Sequence, residues 1–113
     1  MYQRGEVVIV SFPFADGSGD KARPAIVVSG QSYHSTRTDL ILVPATTRPP
    51  HDALDFPVSD WQGAGLLRPS TVCAKPVTFY QTRVLHRAGR LCAEDLARLD
   101  SMLVQALELD TVT

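Results

Sequence analysis

Length, composition and charge exclude several classes of protein. The chain has 113 residues, of which 44% are hydrophobic and 20% charged, as in a folded domain and unlike a disordered or fibrous chain. Eleven basic and twelve acidic residues give a net charge of −1, which argues against a general nucleic-acid-binding protein.

The N-terminal part of the chain predicts three strands. Glu6–Phe12 is rich in β-branched residues, and Ala25–Ser29 follows it after a loop over Phe14–Ala22. Pro24 cannot donate a hydrogen bond within a sheet, so we place it at the entrance of the second strand. The third strand, Asp39–Pro44, is almost continuously apolar, which indicates burial on both faces.

Shorter segments follow in the middle of the chain. Gln31–Thr38 is polar and fits a connection with one helical turn. Ala53–Val58 predicts a short edge strand, in which a proline limits the pairing, and Asp60–Gly65 predicts a turn. Thr71–Lys75 and Val77–Phe79 predict one or two further strands. Short strands separated by Gly, Pro and Asp indicate a small antiparallel barrel or a strongly curved sheet.

The last segment changes to the period of a helix. Between Ala93 and Leu109 apolar residues recur on one helical face, at Leu96, Leu99, Leu103, Ala106 and Leu107. Glu94 and Asp95 lie in the first turn, where negative charge is favourable, whereas Cys92 stands where Ser or Asp would cap the helix better. A C-terminal helix on a small antiparallel sheet makes the predicted fold α+β.

Cysteine content and hydropathy narrow the chemistry further. Cys73 and Cys92 are too few for a disulfide framework, and neither Cys-x-x-Cys nor His-x-x-x-His spacing occurs, so we expect two buried or half-buried thiols and no metal or other cofactor. No apolar run approaches the about 20 residues that cross a bilayer, and the N-terminus has no signal-peptide pattern. We therefore expect one cytoplasmic domain over residues 1–113.

Basic residues are unevenly distributed along the chain. From Leu91 onward five acidic residues accompany Arg98 alone, so the first 90 residues carry ten basic and seven acidic side chains. Nine of the eleven basic residues are arginine, the side chain suited to bidentate contacts with phosphate. A locally basic face is therefore compatible with the near-neutral total.

Three segments carry candidate chemistry. Gly17–Pro24 ends with Arg23 held against a proline, which presents a guanidinium to phosphate or to developing negative charge. Thr46 and Thr47 follow the most apolar strand, where their hydroxyls either bind phosphate or satisfy a turn. The third segment, Leu66–Lys75, is by itself only a proline-led strand entry.

In this order and spacing, the segments resemble the MazF/PemK toxin family. The similarity extends from about Arg4 to Leu109 and is carried by six fragments, none of which is specific alone: Gly5–Val8, Arg23–Ser29, Val43–Thr47, Gly65–Ser70, Gly89–Leu91 and Glu94–Leu96. The resemblance implies a small curved antiparallel sheet or SH3-like barrel of the CcdB/MazF type with a C-terminal helix. It also implies a homodimeric, cytoplasmic toxin that cleaves single-stranded RNA without a metal and is neutralised by a MazE-like antitoxin.

The same resemblance implies roles for individual residues. The family's catalytic arginine falls on Arg23, its catalytic threonine on Thr46, and the serine of its preceding loop on Ser18. We also expect RNA contacts from Lys21, Thr47 and Lys75.

Two departures from the family pattern affect this transfer. The loop after Ser18 continues with Gly19-Asp20, where many members have Glu-Gln, and is about one residue shorter. Some members carry an Arg and an Asp on the strand after the Pro-Ser motif. This chain has Cys73 and Ala74 in that vicinity, so those two roles do not transfer, and Lys75 is only a candidate replacement.

RNA cleavage of this kind needs no protein nucleophile. The 2′-oxygen attacks the adjacent phosphorus, which gives a 2′,3′-cyclic phosphate and expels the 5′-oxygen. Arg23 is the candidate for stabilising the transition-state charge and for handing a proton to the leaving oxygen, and Thr46 for orienting the phosphate. The general base stays open, because arginine does not readily lose a proton. Of His34, His51 and His86, His51 follows Thr47 by a few residues and is the one to test, although each also fits a solvated loop residue.

A groove between the Phe14–Ala22 loop and the strand end at Thr46 is the expected place for the RNA. Bound single strands commonly stack on aromatic side chains, and the available candidates are Phe12, Phe14, Tyr33 and Trp61. Core packing is the competing explanation for most of them.

Two other functions stay open at this point. A CcdB-like toxin that poisons DNA gyrase shares the predicted fold but does not need the pair Arg23 and Thr46. A small binding module with a degenerate site is suggested by Cys73 and Ala74 and by the slightly acidic total charge.

Overall fold

The computed structural model describes residues 1–13 and 17–109. The strands in these ranges are β1 (Glu6–Pro13), β2 (Asp20–Val27), β3 (Asp39–Thr46), β4 (Asp55–Pro57), β5 (Thr71–Cys73), β6 (Val77–Tyr80) and β7 (Val84–Arg90). The helices are α1 (Gln31–His34) and α2 (Ala93–Leu107), and a 3₁₀ turn occupies Gln81–Arg83.

The seven strands form one antiparallel sheet in the order β4-β5-β3-β2-β1-β7, and β6 also pairs with β3. The α+β prediction, with a small antiparallel sheet and a C-terminal helix, is confirmed. In residues 1–13 and 17–109 the end strands β4 and β7 do not pair with each other, so the sheet is open and not a closed barrel.

The strand β2 begins five residues earlier than the sequence predicts. Pro24 lies inside it, paired with Ile9 of β1, and pairing with β1 continues to Asp20. Pairing with β3 stops at the pair Ala25–Pro44. Pro24 is therefore bonded along one side only, a position where the missing N–H is tolerated.

The strand β7 is absent from the sequence-based prediction. It pairs with β1 through two register shifts, which leave Leu85 and Ala88 without a partner in β1. Bulges of this kind interrupt the alternation of apolar and polar residues by which strands are identified in a sequence. The other strands and both helices lie where they are predicted, with ends shifted by a few residues.

Neighbouring residues of the central strands are buried on opposite faces of the sheet. One cluster contains Val7, Ile26 and Val43, and the other contains Val8 and Val27, all with no exposed surface. This two-sided burial explains the continuously apolar runs and confirms the expectation for β3.

The helix α2 covers one face of the sheet. Leu99 is fully buried within the cluster of Val7, and Leu96, Met102 and Leu103 pack against that cluster. Cys92 at the helix start makes no capping hydrogen bond, as its side chain predicts. Neither helix in the described residues is long and apolar enough to cross a membrane.

Candidate active site

A cavity of about 560 Å³ opens where β2 and β3 part, beyond the pair Ala25–Pro44. Its volume lies within the range of about 300–1,000 Å³ that is usual for small-molecule and cofactor sites. The residues that line it are Ile9, Lys21, Ala22, Arg23, Pro24, Ala45, Thr46, Thr47, Gly65, Leu66, Leu67, Arg68, Ser70, His86 and Ala88. Four strands and the segment before β5 thus contribute to one concave surface.

Arg23 and Thr46 lie on the two strands that separate at this cavity. Arg23 is two residues from Ala25, and Thr46 is two residues from Pro44, and Ala25 and Pro44 are directly paired. Because side chains alternate along a strand, Arg23 and Thr46 belong to the same face of the sheet. Both are half-buried and both line the cavity.

The Thr46 hydroxyl is partly engaged at the end of β3. Its Oγ1 accepts the backbone N–H of Arg48 at 3.3 Å, which is the local turn that hydroxyls of this kind often make. A hydroxyl group donates as well as accepts, so the proton of Thr46 can still be given to an anion in the cavity.

The segment from Gly65 to Ser70 forms another wall. Gly65 has φ +82°, and a Cβ there would overlap the carbonyl of Ala88 in β7. The Ser70 hydroxyl donates to the carbonyl of Arg68 at 2.8 Å, which fixes the chain beside the exposed guanidinium. This wall therefore rests directly on the backbone of β7.

The lining is cationic. Lys21, Arg23 and Arg68 contribute three positive charges, and His86 contributes an imidazole. Among the described residues no carboxylate lines the cavity. Such a surface attracts an anion, and the forked guanidinium suits a phosphate.

Four of the six predicted site residues are brought together here. Lys21, Arg23, Thr46 and Thr47 line the cavity. Ser18 is exposed in the segment before β2, and Lys75 is exposed in the link between β5 and β6, and neither is among the lining residues.

The three histidines have different surroundings. His51 is exposed and outside the cavity lining, and its backbone N–H is bonded to Asp55. The His34 ring donates from Nδ1 to the carbonyl of Tyr2 at 3.1 Å, and its Nε2 is hydrogen-bonded to the Ser29 hydroxyl at 2.6 Å. His86 is the histidine that lines the cavity, and sequence reasoning missed it because β7 itself was not predicted.

Cys73 contributes no reactive thiolate beside the site. Burial raises the pKa of its thiol, and so do the negative charge of Asp55 and a hydrogen bond to Asp55. Cys73 and Ala74 also lie outside the cavity lining, and both cysteines are free, as predicted.

The aromatic candidates do not line this cavity in the part of the chain that the structure describes. Phe12 packs edge-on against Phe79 with ring centroids 4.8 Å apart, and Trp61 packs against the buried core. The Tyr33 hydroxyl donates to Asp39 at 2.7 Å. Phe14, and with it the first part of the predicted Phe14–Ala22 loop, lies outside the described residues.

A second cavity, of about 450 Å³, lies between Thr36–Asp39 and Thr78–Tyr80. None of the predicted site residues lines it.

Solved structures with the same fold are toxins and endoribonucleases. A mycobacterial endoribonuclease in complex with its cognate antitoxin aligns with a TM-score of 0.80 and 18% identity, over 99% of this chain and 100% of that chain. The Mycobacterium tuberculosis toxin MazF-mt6 aligns with a TM-score of 0.72 and 24% identity, over 92% of this chain and 99% of that chain. MazF in a MazE–MazF complex from Deinococcus radiodurans aligns with a TM-score of 0.78 and 20% identity, over 96% and 98%. These similarities establish the fold.

No curated protein sequence gives a significant match. A family model, in contrast, matches residues 3–107, which is nearly the whole chain and spans every element described above. The chain belongs to the family of PemK-like, MazF-like toxins of type II toxin–antitoxin systems.

Proposed function

We propose that this toxin is a metal-independent endoribonuclease that cleaves single-stranded RNA at short sequence motifs. The observation that carries the proposal is the shared cavity of Arg23 and Thr46, whose lining adds Lys21 and Arg68 and, in the described residues, no carboxylate. A phosphodiester is the anion that such a cavity fits, and RNA brings its own nucleophile in the 2′-hydroxyl. Two comparisons support this choice. The chain belongs to a family of toxins, and the similar mycobacterial structure is an endoribonuclease.

The residues act on the charge of the reacting phosphate. As the 2′-oxygen bonds to phosphorus, negative charge gathers on the nonbridging oxygens. Arg23 binds these oxygens through its guanidinium, and the Thr46 hydroxyl donates a hydrogen bond to one of them. Lys21 and Thr47 hold the adjoining backbone, whereas Ser18 and Lys75, outside the cavity, contact the flanking nucleotides. The products are a 2′,3′-cyclic phosphate and a 5′-hydroxyl.

The proposal includes the partners and the setting of the toxin. Two of the structural relatives are complexes with their antitoxins, and we propose a MazE-like antitoxin and a homodimer for this chain, in the cytoplasm and as one domain over residues 1–113. Large apolar side chains available for such protein contacts are Leu67, Tyr80 and Leu85, exposed by 93%, 66% and 57%.

Cleavage of a defined RNA in EDTA tests the reaction. We expect cleavage to continue in EDTA and to stop when the scissile nucleotide is 2′-deoxy. Arg23→Ala is expected to lower the rate by at least about 10²-fold, the usual cost of removing one group that stabilises an oxyanion. Arg98→Ala, on α2 and outside the cavity, is the control and should cleave like the parent.

Two results would contradict the proposal. If Arg23→Ala cleaves as fast as the parent, the assignment of the site to Arg23 is wrong. If the 2′-deoxy substrate is cleaved, attack by the 2′-oxygen is not the mechanism. The family match does not favour the CcdB-like alternative, which would instead give intact RNA together with stalled, cleaved DNA.

A further inference from the structure

We propose that the second cavity, between Thr36–Asp39 and Thr78–Tyr80, binds a nucleotide whose base carries an exocyclic amino group. This cavity is distinct from the one that Arg23 and Thr46 line. Asp39 begins β3 and Thr46 ends it, so the two residues lie about 23 Å apart along the strand, and their side chains belong to opposite faces of the sheet. The inference goes beyond the proposed function, because binding at this place requires no cleavage.

The register of β3 and β6 brings three cavity residues to one face of the sheet. Asp39 pairs directly with Tyr80, and Thr78 lies two residues before Tyr80 in the same strand. Directly paired residues and residues two apart project from the same face, so the side chains of Asp39, Thr78 and Tyr80 are neighbours there. The pair between them, Leu40 and Phe79, projects to the other face and packs in the apolar core.

The Asp39 carboxylate is held by one of its two oxygens. The Tyr33 hydroxyl donates to Oδ2 at 2.7 Å, and this hydrogen bond raises the pKa of Tyr33, so the phenol keeps the proton that it donates. Within residues 1–13 and 17–109, Oδ1 accepts no hydrogen bond and the carboxylate makes no ion pair. Asp39 therefore offers a charged acceptor to a hydrogen-bond donor in the cavity.

An aromatic ring and a guanidinium complete the lining. Tyr80 is 66% exposed, and an exposed ring is a platform on which a base stacks. Arg37 is exposed as well, with its guanidinium carbon 5.4 Å from the centre of the Tyr33 ring, and it makes no ion pair with the carboxylates that the structure describes. Such a guanidinium suits a phosphate. A ring, an acceptor and a cation thus meet in one cavity of about 450 Å³.

A nucleotide uses all three of these groups. A base stacked on Tyr80 brings its edge to Asp39, the residue directly paired with Tyr80, and its phosphate reaches Arg37. Carboxylates accept from amino groups, as when Asp or Glu contacts N4 of cytosine. Uracil would instead set its O4 carbonyl against the carboxylate, so that two acceptors face each other. We therefore expect bases with an amino group to bind in preference to uracil.

A titration followed by NMR chemical shifts tests this preference with cytidine 5′-monophosphate (CMP) and uridine 5′-monophosphate (UMP). We expect the parent to bind CMP at least about 10-fold more tightly than UMP, the usual effect of one hydrogen bond to a charged group. Tyr80→Ala should weaken CMP binding by at least about 5-fold, because it removes the stacking platform. Tyr80→Phe keeps the ring and should bind CMP like the parent.

The variant Asp39→Asn separates recognition of the base from a structural role. The Tyr33 hydroxyl donates to the remaining oxygen of the new amide, so the amide NH₂ faces the cavity and offers a donor to O4 of uracil. We therefore expect Asp39→Asn to bind UMP more tightly than CMP. Asp52→Asn, exposed and outside both cavities, is the matched control and should keep the parental preference. Equal loss of both nucleotides in Asp39→Asn would show a structural role only.

Competition identifies the source of the nucleotide. If an uncleavable 2′-deoxy substrate displaces CMP, the cavity takes a nucleotide of the bound strand, and if it does not, the cavity takes a free nucleotide. The inference is wrong if CMP and UMP bind the parent equally, if neither binds, or if Tyr80→Ala binds CMP like the parent. The proposed ribonuclease is judged separately by Arg23→Ala, since neither Asp39 nor Tyr80 lines the cavity of Arg23.

Discussion

The Asp95 carboxylate binds the chain outside the helix in which it lies. Although it is in the first turn of α2, it is fully buried and accepts the backbone N–H of Ser59 at 3.1 Å and that of Asp60 at 3.2 Å. The Ser59 hydroxyl and the Cys92 thiol also donate to it. Burial by itself would raise the pKa of Asp95, but these hydrogen bonds together lower it. The carboxylate thus fastens the segment after β4 to the helix.

Removing this carboxylate is expected to destabilise the protein. Asp95→Ala removes the buried, charged acceptor of the Ser59 and Asp60 backbone N–H groups, and a hydrogen bond to a charged group contributes about 1.5–3 kcal/mol. We therefore expect the free energy of unfolding to fall by at least about 2 kcal/mol in urea denaturation. Glu94→Ala, one residue earlier and exposed, should change it by less than about 0.5 kcal/mol. Equal effects of the two substitutions would contradict this account.

The same hydrogen bonds predict how stability depends on pH. The pKa of Asp95 is lower in the folded than in the unfolded chain, so its stabilising effect is complete above the unfolded value of about 3.9 and is lost as the pH falls through the folded value. The difference in unfolding free energy between the parent and Asp95→Asn should be constant from pH 7 to about 5 and shrink below about pH 4. If the difference in unfolding free energy grew towards acid pH, the lowered pKa of Asp95 in the folded chain would be contradicted.

At the level of residues, the sequence predicts functions better when a motif carries them. Arg23 and Thr46 are found through short motifs, and the structure places both in one cavity. The place of His86 in the cavity lining and the hydrogen bonds of Asp95 depend on residues distant in sequence, Ile9 in β1 and Ser59 after β4. No local pattern contains such information, because these contacts arise only when the chain folds.

Among the elements, β7 and the segment at Gly65 support each other. A Cβ on Gly65 would overlap the carbonyl of Ala88, and a Cβ on Gly89 would overlap the carbonyl of Ala64. The two backbones are therefore in direct contact, and Gly65 and Ala88 both line the cavity. Glycine is required at these two positions because any side chain would push the wall away from β7.

A substitution in this contact should impair both stability and cleavage. Gly65→Ala forces alanine into φ +82°, which costs about 1–2 kcal/mol before the overlap with Ala88 is counted. We expect a lower midpoint of thermal unfolding and a reduced cleavage rate even at temperatures where the variant is folded. In Gly30→Ala the new Cβ would meet its nearest atom, in Arg4, at 3.7 Å and φ is −102°, so that control should behave like the parent. Parental cleavage by folded Gly65→Ala would show that this wall does not shape the site.

Prediction of elements from sequence succeeds where the period is regular. The apolar runs of β1 and β3 and the helical face of α2 are regular, and all three lie as predicted. β7 carries two bulges. In β2, Pro24 led to a predicted start at Ala25, whereas pairing with β1 begins at Asp20. Tertiary pairing therefore overrides the local signal in both strands.

For the whole molecule, the proposed function requires the cationic cavity to bind RNA although the net charge is −1. Lys21, Arg23 and Arg68 are the positive side chains that line it. If each neutralises one phosphate, the logarithm of the affinity for single-stranded RNA should fall with the logarithm of salt concentration with a slope of about −2. Binding of an uncleavable 2′-deoxy substrate across a salt series measures this slope.

Single substitutions locate the charges that produce the slope. Arg68→Ala should reduce its magnitude by about 0.7, the value for one phosphate contact on a single strand. Arg98→Ala removes the same charge from α2, outside the cavity, and should leave the slope unchanged. Identical slopes for both variants would place the RNA elsewhere.

The cavity combines residues of the first and the last strand of the sheet, since Ile9 lies in β1 and His86 and Ala88 lie in β7. During synthesis a growing chain therefore completes this cavity only after β7 has left the ribosome. Under the proposed function, products that terminate before Val84 lack this part of the cavity and are expected not to cleave RNA.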